Sequence, residues 1–572
     1  MAHQVYFLAM APSLAPSLDE LRRLRAVARG EQAAEVVVSG GRLVNVFTEE
    51  VLPGWGVAIS GGRVAYVGPD AEDFVSPGTQ TFDAQGGYIA PGLVECHTHM
   101  QRVDLLETAT LQVKAGITTT VLETVEIAYM CGPDGMRALL GAAAVAPGRI
   151  LLTVPPLVGL DAVHEAELAP AEAWIKLLDD PGVAGVGEIY WPDLLRGHER
   201  AERLAAAALE RGLPVEGHGA GIRFANLVAL AAAGVASDHE ALTADETLLR
   251  LRLGLYALAR HGATRQDLDA IAPIWGGDAD LSRLALVTDG VEPDSLASGR
   301  SLNSVVDAAV TAGLPLARAV RMASRTPAEH FGLGRWLGGL APGMQADLVV
   351  LAEDARFQPR QVLVGGKPPA KPDPFSYPSA MRDTVQLGDI DAGLLQPPPP
   401  GRRRAMQFVA PLVTREAESV DGGLVCAVLD RTGRERGFRG LLLGTGIAGA
   451  AVALSSGWES PAVVVVADGP PDARVAVERV RSMRGGAAVA AGGQVVAEWQ
   501  ADIAGVQSTS GAGAVADEVA AVNNALREFG CEFPNPLLSL ETLTSPAIPH
   551  LRITADGYVR LKDGARLGLD IT

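Results

Sequence analysis

The sequence predicts an α/β fold built around an eight-stranded parallel (β/α)8 barrel of the TIM type. Three observations support this prediction. Between positions 91 and 334, eight short apolar segments alternate with helical segments rich in Ala and Leu. Segments with β-like alternation and Gly-Gly turns lie on both sides of that region. A proline-rich stretch then separates it from a final segment with its own strands and helix.

At 572 residues, the chain is too long for a single core, so several domains are expected. The segments before and after the barrel share the same β-like alternation of apolar and polar residues, and we expect them to assemble into one small domain. The predicted parts are an N-terminal helical segment (1–33), a small β-sandwich domain built from both flanks of the barrel (34–90 and 335–365), the barrel (91–334), a Pro-rich linker (366–404) and a C-terminal α/β domain (405–572).

Charge and cysteine content exclude several classes of protein. A net charge of −19 would repel phosphate backbones, so nucleic-acid binding is not expected. The four cysteines have no paired spacing, which argues against a disulfide framework and fits a reducing cytoplasm. The apolar run 441–457 is shorter than the roughly 20 residues of a membrane span, and residues 1–18 lack a basic signal-peptide region. We therefore expect a soluble cytoplasmic protein without membrane partners.

Six potential metal ligands lie at or just beyond the C-terminal ends of predicted barrel strands. In a β/α barrel these ends converge on one face, which carries the functional site. Two of the residues are two positions apart on one strand, so their side chains point to the same side. Imidazoles and carboxylates together suit zinc, manganese or iron(II). The predicted ligands are His97, His99, Glu188, His218, His239 and Asp289.

Each of these residues could instead have a purely structural role. A single histidine in a strand is more often a satisfied core or surface residue than a ligand. Glu188, however, ends the apolar run GVAGVG, where a carboxylate is costly unless it is paired or bound to a metal. Only the joint occurrence of all six favours a metal site. Four other histidines occur in helical or loop contexts and are predicted at the surface: His164, His198, His261 and His330.

Several motifs resemble those of a known family. The stretch AQGGYIAPGLVECHTHM resembles the opening of the amidohydrolase superfamily, in which a Pro-Gly-x-[IV]-[DE]-x-His-x-His strand supplies two ligands. GVAGVGEIYWP, PVEGHGAG, ASDHEALT and LVTDG then resemble, in order, strands of the bacterial adenine deaminase family. NALREFGCEFPNPLLSLETLTSPAIPHLRIT is similar to that family's C-terminal region. The resemblance extends over nearly the whole chain from about position 34.

The resemblance implies a two-metal hydrolase that acts on a small molecule. Two divalent ions (Mn²⁺, Fe²⁺ or Zn²⁺) would be held by the six ligands, with His97, His99 and Asp289 on one ion, His218 and His239 on the other, and Glu188 bridging. Asp289 and Glu188 would be the catalytic residues. An activated water would attack C6 of adenine, and Asp289 would pass its proton to the departing nitrogen, which gives hypoxanthine and ammonia. The family also suggests a homodimer or larger homo-oligomer.

Positions expected to face the substrate depart from the family pattern. The first motif usually continues with Glu-Ser-Ser, whereas this chain has Gln101 and Arg102 there. Glu126 lies in an altered second-strand motif, and Gly299-Arg300 stands near the position where the family usually has Gly-His. In the last domain, residues 454–458 replace the family's His-Asp-Ser-His-Asn. We therefore expect these four named side chains to bind the substrate, which would carry an acidic group that an arginine pairs with.

Three functions remain open from the sequence. The first is hydrolytic deamination of adenine or a related amino-substituted N-heterocycle. The second is hydrolysis of a cyclic or linear amide, but those branches often have a modified lysine where Glu188 stands, which favours the deaminase. The third is a catalytically inactive binding paralogue. Retention of all six ligand positions disfavours it, because clustered carboxylates and imidazoles are costly without an ion.

Overall fold

A computed structural model describes residues 14–100, 102–354, 356–420, 422–548 and 550–571. Gln101, predicted to bind substrate, lies outside the described residues, as do the first 13 positions. The first element is the helix Leu18–Ala28. It begins at a capping box, because the Ser17 backbone N–H donates to the Glu20 carboxylate and the Glu20 N–H donates to the Ser17 hydroxyl.

Two β-sheets form from segments on both sides of the central region. The four-stranded sheet has the order Arg63–Gly68, Gly56–Ser60, Val36–Ser39 and Gln80–Asp83. The five-stranded sheet has the order Pro359–Leu363, Leu348–Leu351, Tyr88–Pro91, Arg42–Asn45 and Glu50–Pro53. Val38, Ile59, Ile89 and Val350 belong to one apolar core between the sheets. Strands more than 250 residues apart therefore share a sheet, as the backbone pairing of Val350 with Ile89 shows.

All eight strands predicted for the central region are present, and they are parallel. A five-stranded sheet has the order Val215–His218, Val183–Tyr190, Arg149–Val154, Ile117–Glu123 and Leu93–His99. A three-stranded sheet has the order Ser237–Asp238, Tyr256–Arg260 and Leu284–Val287. The prediction of an α/β class is thereby confirmed.

Helices follow these strands and cover them. Those of eight residues or more are Leu105–Lys114, Val125–Ala144, Glu199–Glu210, Phe224–Ala232, Ala244–Arg252 and Leu302–Thr311. Shorter helices are Ala162–Glu165, Ala171–Ile175, Trp191–Leu195, Leu268–Ile271, Pro293–Ala297, Leu316–Met322 and Arg325–His330. None of the helices in the described ranges is long and apolar enough to cross a membrane.

The two parallel sheets meet at both of their edges. The backbone N–H of Asp289 donates to the carbonyl of His97 at 3.1 Å, and that of Ala236 donates to the carbonyl of Val215 at 2.8 Å. One apolar cluster also contains residues of both sheets: Cys96, Val121, Leu151 and Ala184 from the larger, and Leu258, Ala285 and Val287 from the smaller. These contacts bring the C-terminal ends of the first and last strands together.

The C-terminal region forms an eight-stranded sheet whose central strands are buried on both faces. Its order is Val413–Ser419, Arg403–Ala410, Gly437–Leu443, Leu424–Asp430, Ala462–Ala467, Ala451–Leu454, Gly486–Ala491 and Gln494–Gln500. Val463 and Val465 pack with the helix Pro470–Met483, whereas Val464 and Val466 pack with the helix Ala512–Glu528. This strand is a continuous valine run because both of its faces are covered.

Smaller elements complete the C-terminal region and join it to the parallel sheets. The helix Pro536–Glu541 precedes a three-stranded sheet of Leu551–Thr554, Gly557–Arg560 and Ala565–Leu567. The short strand Gln507–Ser508 pairs in parallel with Arg102–Val103. Because Arg102 follows His99 so closely in the chain, this pairing places the C-terminal region beside the predicted metal ligands.

Candidate metal centre

The structure brings the side chains of all six predicted ligands together. Three overlapping groups have ligand atoms within 4.8 Å of one another: His97, His99 and Glu188; His97, His239 and Asp289; Glu188, His218 and His239. Five of the six residues are buried, and His99 is nearly so. The strand-end rule therefore located one cluster from positions that span almost two hundred residues.

Glu188 lies at the centre of the cluster. Its Oε1 is 3.6 Å from Nε2 of His99. Its Oε2 is 3.0 Å from Nδ1 of His218 and 3.2 Å from Nε2 of His239. Because the two carboxylate oxygens face different imidazoles, Glu188 has the arrangement of a carboxylate that could bridge two cations.

Asp289 directs one carboxylate oxygen to the cluster, and hydrogen bonds from outside the cluster fix the other oxygen. Its Oδ1 is 3.2 Å from Nε2 of His97, while Oδ2 accepts hydrogen bonds from Thr264 Oγ1 at 2.8 Å and Arg260 Nη1 at 3.1 Å. Burial opposes ionisation, but the adjacent imidazole of His97 and the charge of Arg260 hold the pKa of Asp289 below its usual value. The carboxylate is thus kept ionised with one oxygen directed to the imidazoles.

Two histidines are oriented by partners outside the cluster. Nδ1 of His99 lies 2.7 Å from a carboxylate oxygen of Glu126, and Nε2 of His218 lies 3.1 Å from the carbonyl oxygen of Ala547. A ring N–H that donates outward leaves the other nitrogen with a lone pair directed inward. In both residues that inner nitrogen faces Glu188. Glu126, predicted to bind substrate, therefore contacts a predicted metal ligand.

The donor set fits divalent cations. Both ring nitrogens of His97 and Nδ1 of His239 are buried without a hydrogen-bond partner among the described residues. Buried polar atoms without partners are costly, and an ion would satisfy those that face the cluster. Four imidazoles and two carboxylates are ligands that zinc, manganese and iron(II) accept.

The two predicted substrate-binding arginines lie in different surroundings. Arg102 is buried and donates to Glu292 at 2.7 Å and to Glu541 at 2.6 Å. Its charge is therefore already matched by two carboxylates. Arg300 is 58% exposed and donates to the hydroxyl of Ser298. In the described part of the chain, neither guanidinium hydrogen-bonds a residue of the metal cluster.

The prediction that His164 and His330 lie at the surface is wrong. Both are buried, and His330 Nε2 lies 2.7 Å from a carboxylate oxygen of Glu216, itself fully buried in a parallel strand. His164 bonds to the backbone carbonyl of Tyr129 at 2.8 Å. A buried carboxylate such as Glu216 needs a partner, and the short helix Arg325–His330 supplies it.

Sequence reasoning missed several residues around the cluster. Glu240 and Arg260 pair with each other beside His239 and Asp289. The rule used for the six predicted ligands could have found these two residues, because both also stand at strand ends. Glu459 comes from the C-terminal region. It directly follows the altered motif 454–458, whose last residue, Trp458, has its ring parallel to that of His99 with the ring centroids 6.5 Å apart. No strand-end rule points to Glu459.

A small cavity adjoins the cluster. Its lining includes carboxyl groups, a phenol and apolar side chains. The lining residues are Glu123, Val125, Pro155, Pro156, Leu157, Val158, Glu188, Tyr190 and Glu459. Burial, reinforced by the charge of Glu188, raises the pKa of Glu459 to about 8, although a hydrogen bond from Tyr190 opposes the shift.

Known proteins resemble both halves of the chain. Residues 88–368 match the amidohydrolase family, and residues 408–565 match the adenine deaminase C-terminal domain. An adenine deaminase of Moorella thermoacetica is 31% identical over 96% of this chain and 98% of its own length, and one of Rubrobacter xylanophilus is 32% identical over the same shares. Among solved structures, molinate hydrolase has a TM-score of 0.46 and 19% identity, over 59% of this chain and 95% of that one.

The environment of Arg102 predicts a structural effect of its substitution. Arg102→Met would leave Glu292 and Glu541 without their shared cation, and we expect a loss of about 3–5 kcal/mol in the free energy of unfolding. Chemical denaturation would measure it. Arg300→Met is the matched control, with an expected change within about 0.5 kcal/mol, since this side chain is exposed. Unchanged stability of Arg102→Met, together with a raised KM for an acidic substrate, would contradict this structural role.

Proposed function

The chain belongs to the adenine deaminase family of amidohydrolases, and on this basis we propose that it is a metal-dependent hydrolase that deaminates adenine or a related amino-substituted N-heterocycle with release of ammonia. Family membership confirms the resemblance inferred from the motifs. The observation that carries the proposal is the convergence of four imidazoles and two carboxylates around Glu188. Relatives named adenine deaminase match nearly the full chain, which supports the choice of a small heterocyclic substrate.

We propose that two divalent ions bind in the cluster. His97, His99 and Asp289 would hold one ion, His218 and His239 the other, and Glu188 would bridge them. The membership of Glu188 in two of the three ligand groups supports this assignment. When bound, such ions lower the pKa of a water so that a nucleophile is available near neutral pH. Manganese, iron(II) and zinc all suit these ligands.

The proposed proton carrier is Asp289. One oxygen faces His97 and His99, while the other is fixed by Thr264 and Arg260, so rotation of the carboxylate is restrained. An ionised carboxylate in this position would accept the proton of the attacking water and return it to the leaving amino nitrogen, which departs as ammonia. Because Arg102 is already matched by two carboxylates, the geometry favours a neutral substrate over an acidic one.

We also infer the wider organisation. Closure of the two parallel sheets into one (β/α)8 barrel is supported by the backbone hydrogen bonds at both edges. A homo-oligomer in the cytoplasm is proposed from the family and the cysteine usage. The domains proposed are the helical segment 1–33, the β-sandwich 34–90 with 335–365, the barrel 91–334, the linker 366–404 and the α/β domain 405–572.

Ammonia release tests the proposed reaction. The protein loaded with Mn²⁺, Fe²⁺ or Zn²⁺ should convert adenine to equal amounts of hypoxanthine and ammonia, because hydrolysis at C6 yields both. A chelator should abolish turnover, and re-addition of the metal should restore it. A panel of aminopurines, pterins and cyclic amides would show the substrate range. Cleavage of an amide with no ammonia from any aminated heterocycle would refute the deaminase proposal.

The hydrogen bond between Glu126 and His99 predicts an effect on metal affinity. Glu126→Gln would weaken the contact that orients His99, and we expect the metal affinity to fall by about 10–100-fold. Competition with a chromophoric chelator would measure it. Glu199→Gln, at an exposed side chain, is the control that should leave the affinity unchanged. Wild-type affinity in Glu126→Gln would show that Glu126 has no orienting role.

A further inference from the structure

Glu240 places a carboxylate beside the predicted metal ligands without being one of them. It directly follows His239 in the chain, and its side chain is 11% exposed. Its Oε1 lies 3.6 Å from Nε2 of His239 and 3.9 Å from Nδ1 of His218. The same two nitrogens face Oε2 of Glu188, at 3.2 and 3.0 Å. Two carboxylates therefore lie next to the histidines that are proposed to hold the second ion.

These distances bring Glu240 close to the range of a metal ligand. With metal–ligand bonds of about 2.0–2.2 Å, the ligand atoms around one zinc ion lie roughly 3–3.5 Å from one another. The separations of Oε1 from the two histidine nitrogens exceed this range by at most a few tenths of an ångström. A small rotation of its side chain would therefore be enough for Glu240 to bind the second ion.

Arg260 holds this carboxylate in its present position. The guanidinium, at the end of the strand Tyr256–Arg260, is 4% exposed, and its Nη1 donates to Oε1 of Glu240. The same nitrogen donates to Oδ2 of Asp289 at 3.1 Å, and Nε lies 3.5 Å from Oδ2 of Asp267. Among the described residues, Nε and Nη2 have no hydrogen-bond partner. A buried cation needs such anionic partners, so Arg260 and Glu240 restrain each other.

We propose that Arg260 is a positioning residue that prevents Glu240 from binding the second ion and so keeps a coordination position open for water or substrate. The inference rests on the proposed two-ion site and adds to it a residue of the seventh parallel strand. Catalytic metal sites keep a position free of protein ligands, and an additional carboxylate would occupy it. The same guanidinium fixes Asp289, the proposed proton carrier, so its loss affects both carboxylates.

The visible spectrum of the Co²⁺-loaded protein tests the proposal without any measurement of activity. Co²⁺ accepts imidazole and carboxylate ligands, and its absorption bands change with their number and kind. In Arg260→Met, Glu240 loses the cation that holds it, and we expect a spectrum different from that of the wild type because Glu240 binds the ion. Arg260→Met/Glu240→Gln should return to the wild-type spectrum, since a neutral amide is a much weaker ligand than a carboxylate.

Two further variants serve as controls. Arg265→Met removes the same charge from an arginine that, among the described residues, contacts only the carboxylate of Asp267, so its spectrum should equal that of the wild type. Glu240→Gln alone should leave the spectrum and the metal content unchanged, because Glu240 does not bind the ion while Arg260 is present. This variant decides the question if Arg260→Met does not fold.

Turnover provides a readout that a purely structural role would not produce. Arg260→Met should lower kcat by about 100-fold, since Asp289 loses a restraint and Glu240 occupies the open position. Arg260→Met/Glu240→Gln should have a kcat about 10-fold higher than Arg260→Met, although it carries one more substitution. If the two residues only supported the fold, the second substitution would bring no recovery.

The outcomes separate this inference from the proposed function. If the metal-loaded wild type releases no ammonia from adenine, the proposed function is wrong, whereas the Co²⁺ spectra still test the role of Arg260. A wild-type spectrum in Arg260→Met would overturn the inference, and so would a double variant whose spectrum equals that of Arg260→Met. A changed spectrum in Glu240→Gln alone would show that Glu240 is already a ligand, which overturns the inference as well.

Discussion

The carboxylate of Glu188, buried at the end of a parallel strand, imposes the main constraint on this molecule. An ionised carboxylate in such a place is stable only where positive charge or hydrogen-bond donors face it. Here, His99, His218 and His239 face it, and each comes from a different strand end. The parallel sheets must therefore bring distant strand ends to one point. The preceding position, Gly187, has no room for a larger side chain, because a Cβ there would lie 2.3 Å from a carboxylate oxygen of Glu123.

Much of this arrangement could be predicted because it depends on local patterns. A parallel strand covered on both faces is a short apolar run, so all eight strands were recognisable. The rule that barrel strand ends converge then predicted the cluster of six candidate ligands without any knowledge of distances. Buried partners of other polar groups follow no such rule. His330 was expected at the surface because the sequence does not show that Glu216 would be buried and need it.

Contacts between distant segments account for the remaining differences. Arg102 was expected to face the substrate, yet its partners Glu292 and Glu541 are 190 and 439 positions away in the chain. Tyr190 and Glu459 are separated by 269 positions. Hydropathy and spacing carry no information about which polar side chains from distant segments will meet. Such pairs are determined by tertiary packing, which single-sequence patterns do not encode.

The C-terminal region also contributes residues to the surroundings of the predicted metal site. Ala547 provides the carbonyl that orients His218, Trp458 stacks against His99, and Glu459 bonds to Tyr190. The predicted ligands thus lie at the ends of the parallel strands, whereas several of the groups that orient or cover them come from the C-terminal region. Substitutions in that region can therefore alter the cavity without changing the predicted ligands. This division allows the motifs expected to face the substrate to differ from the family pattern while the six predicted ligand positions match it.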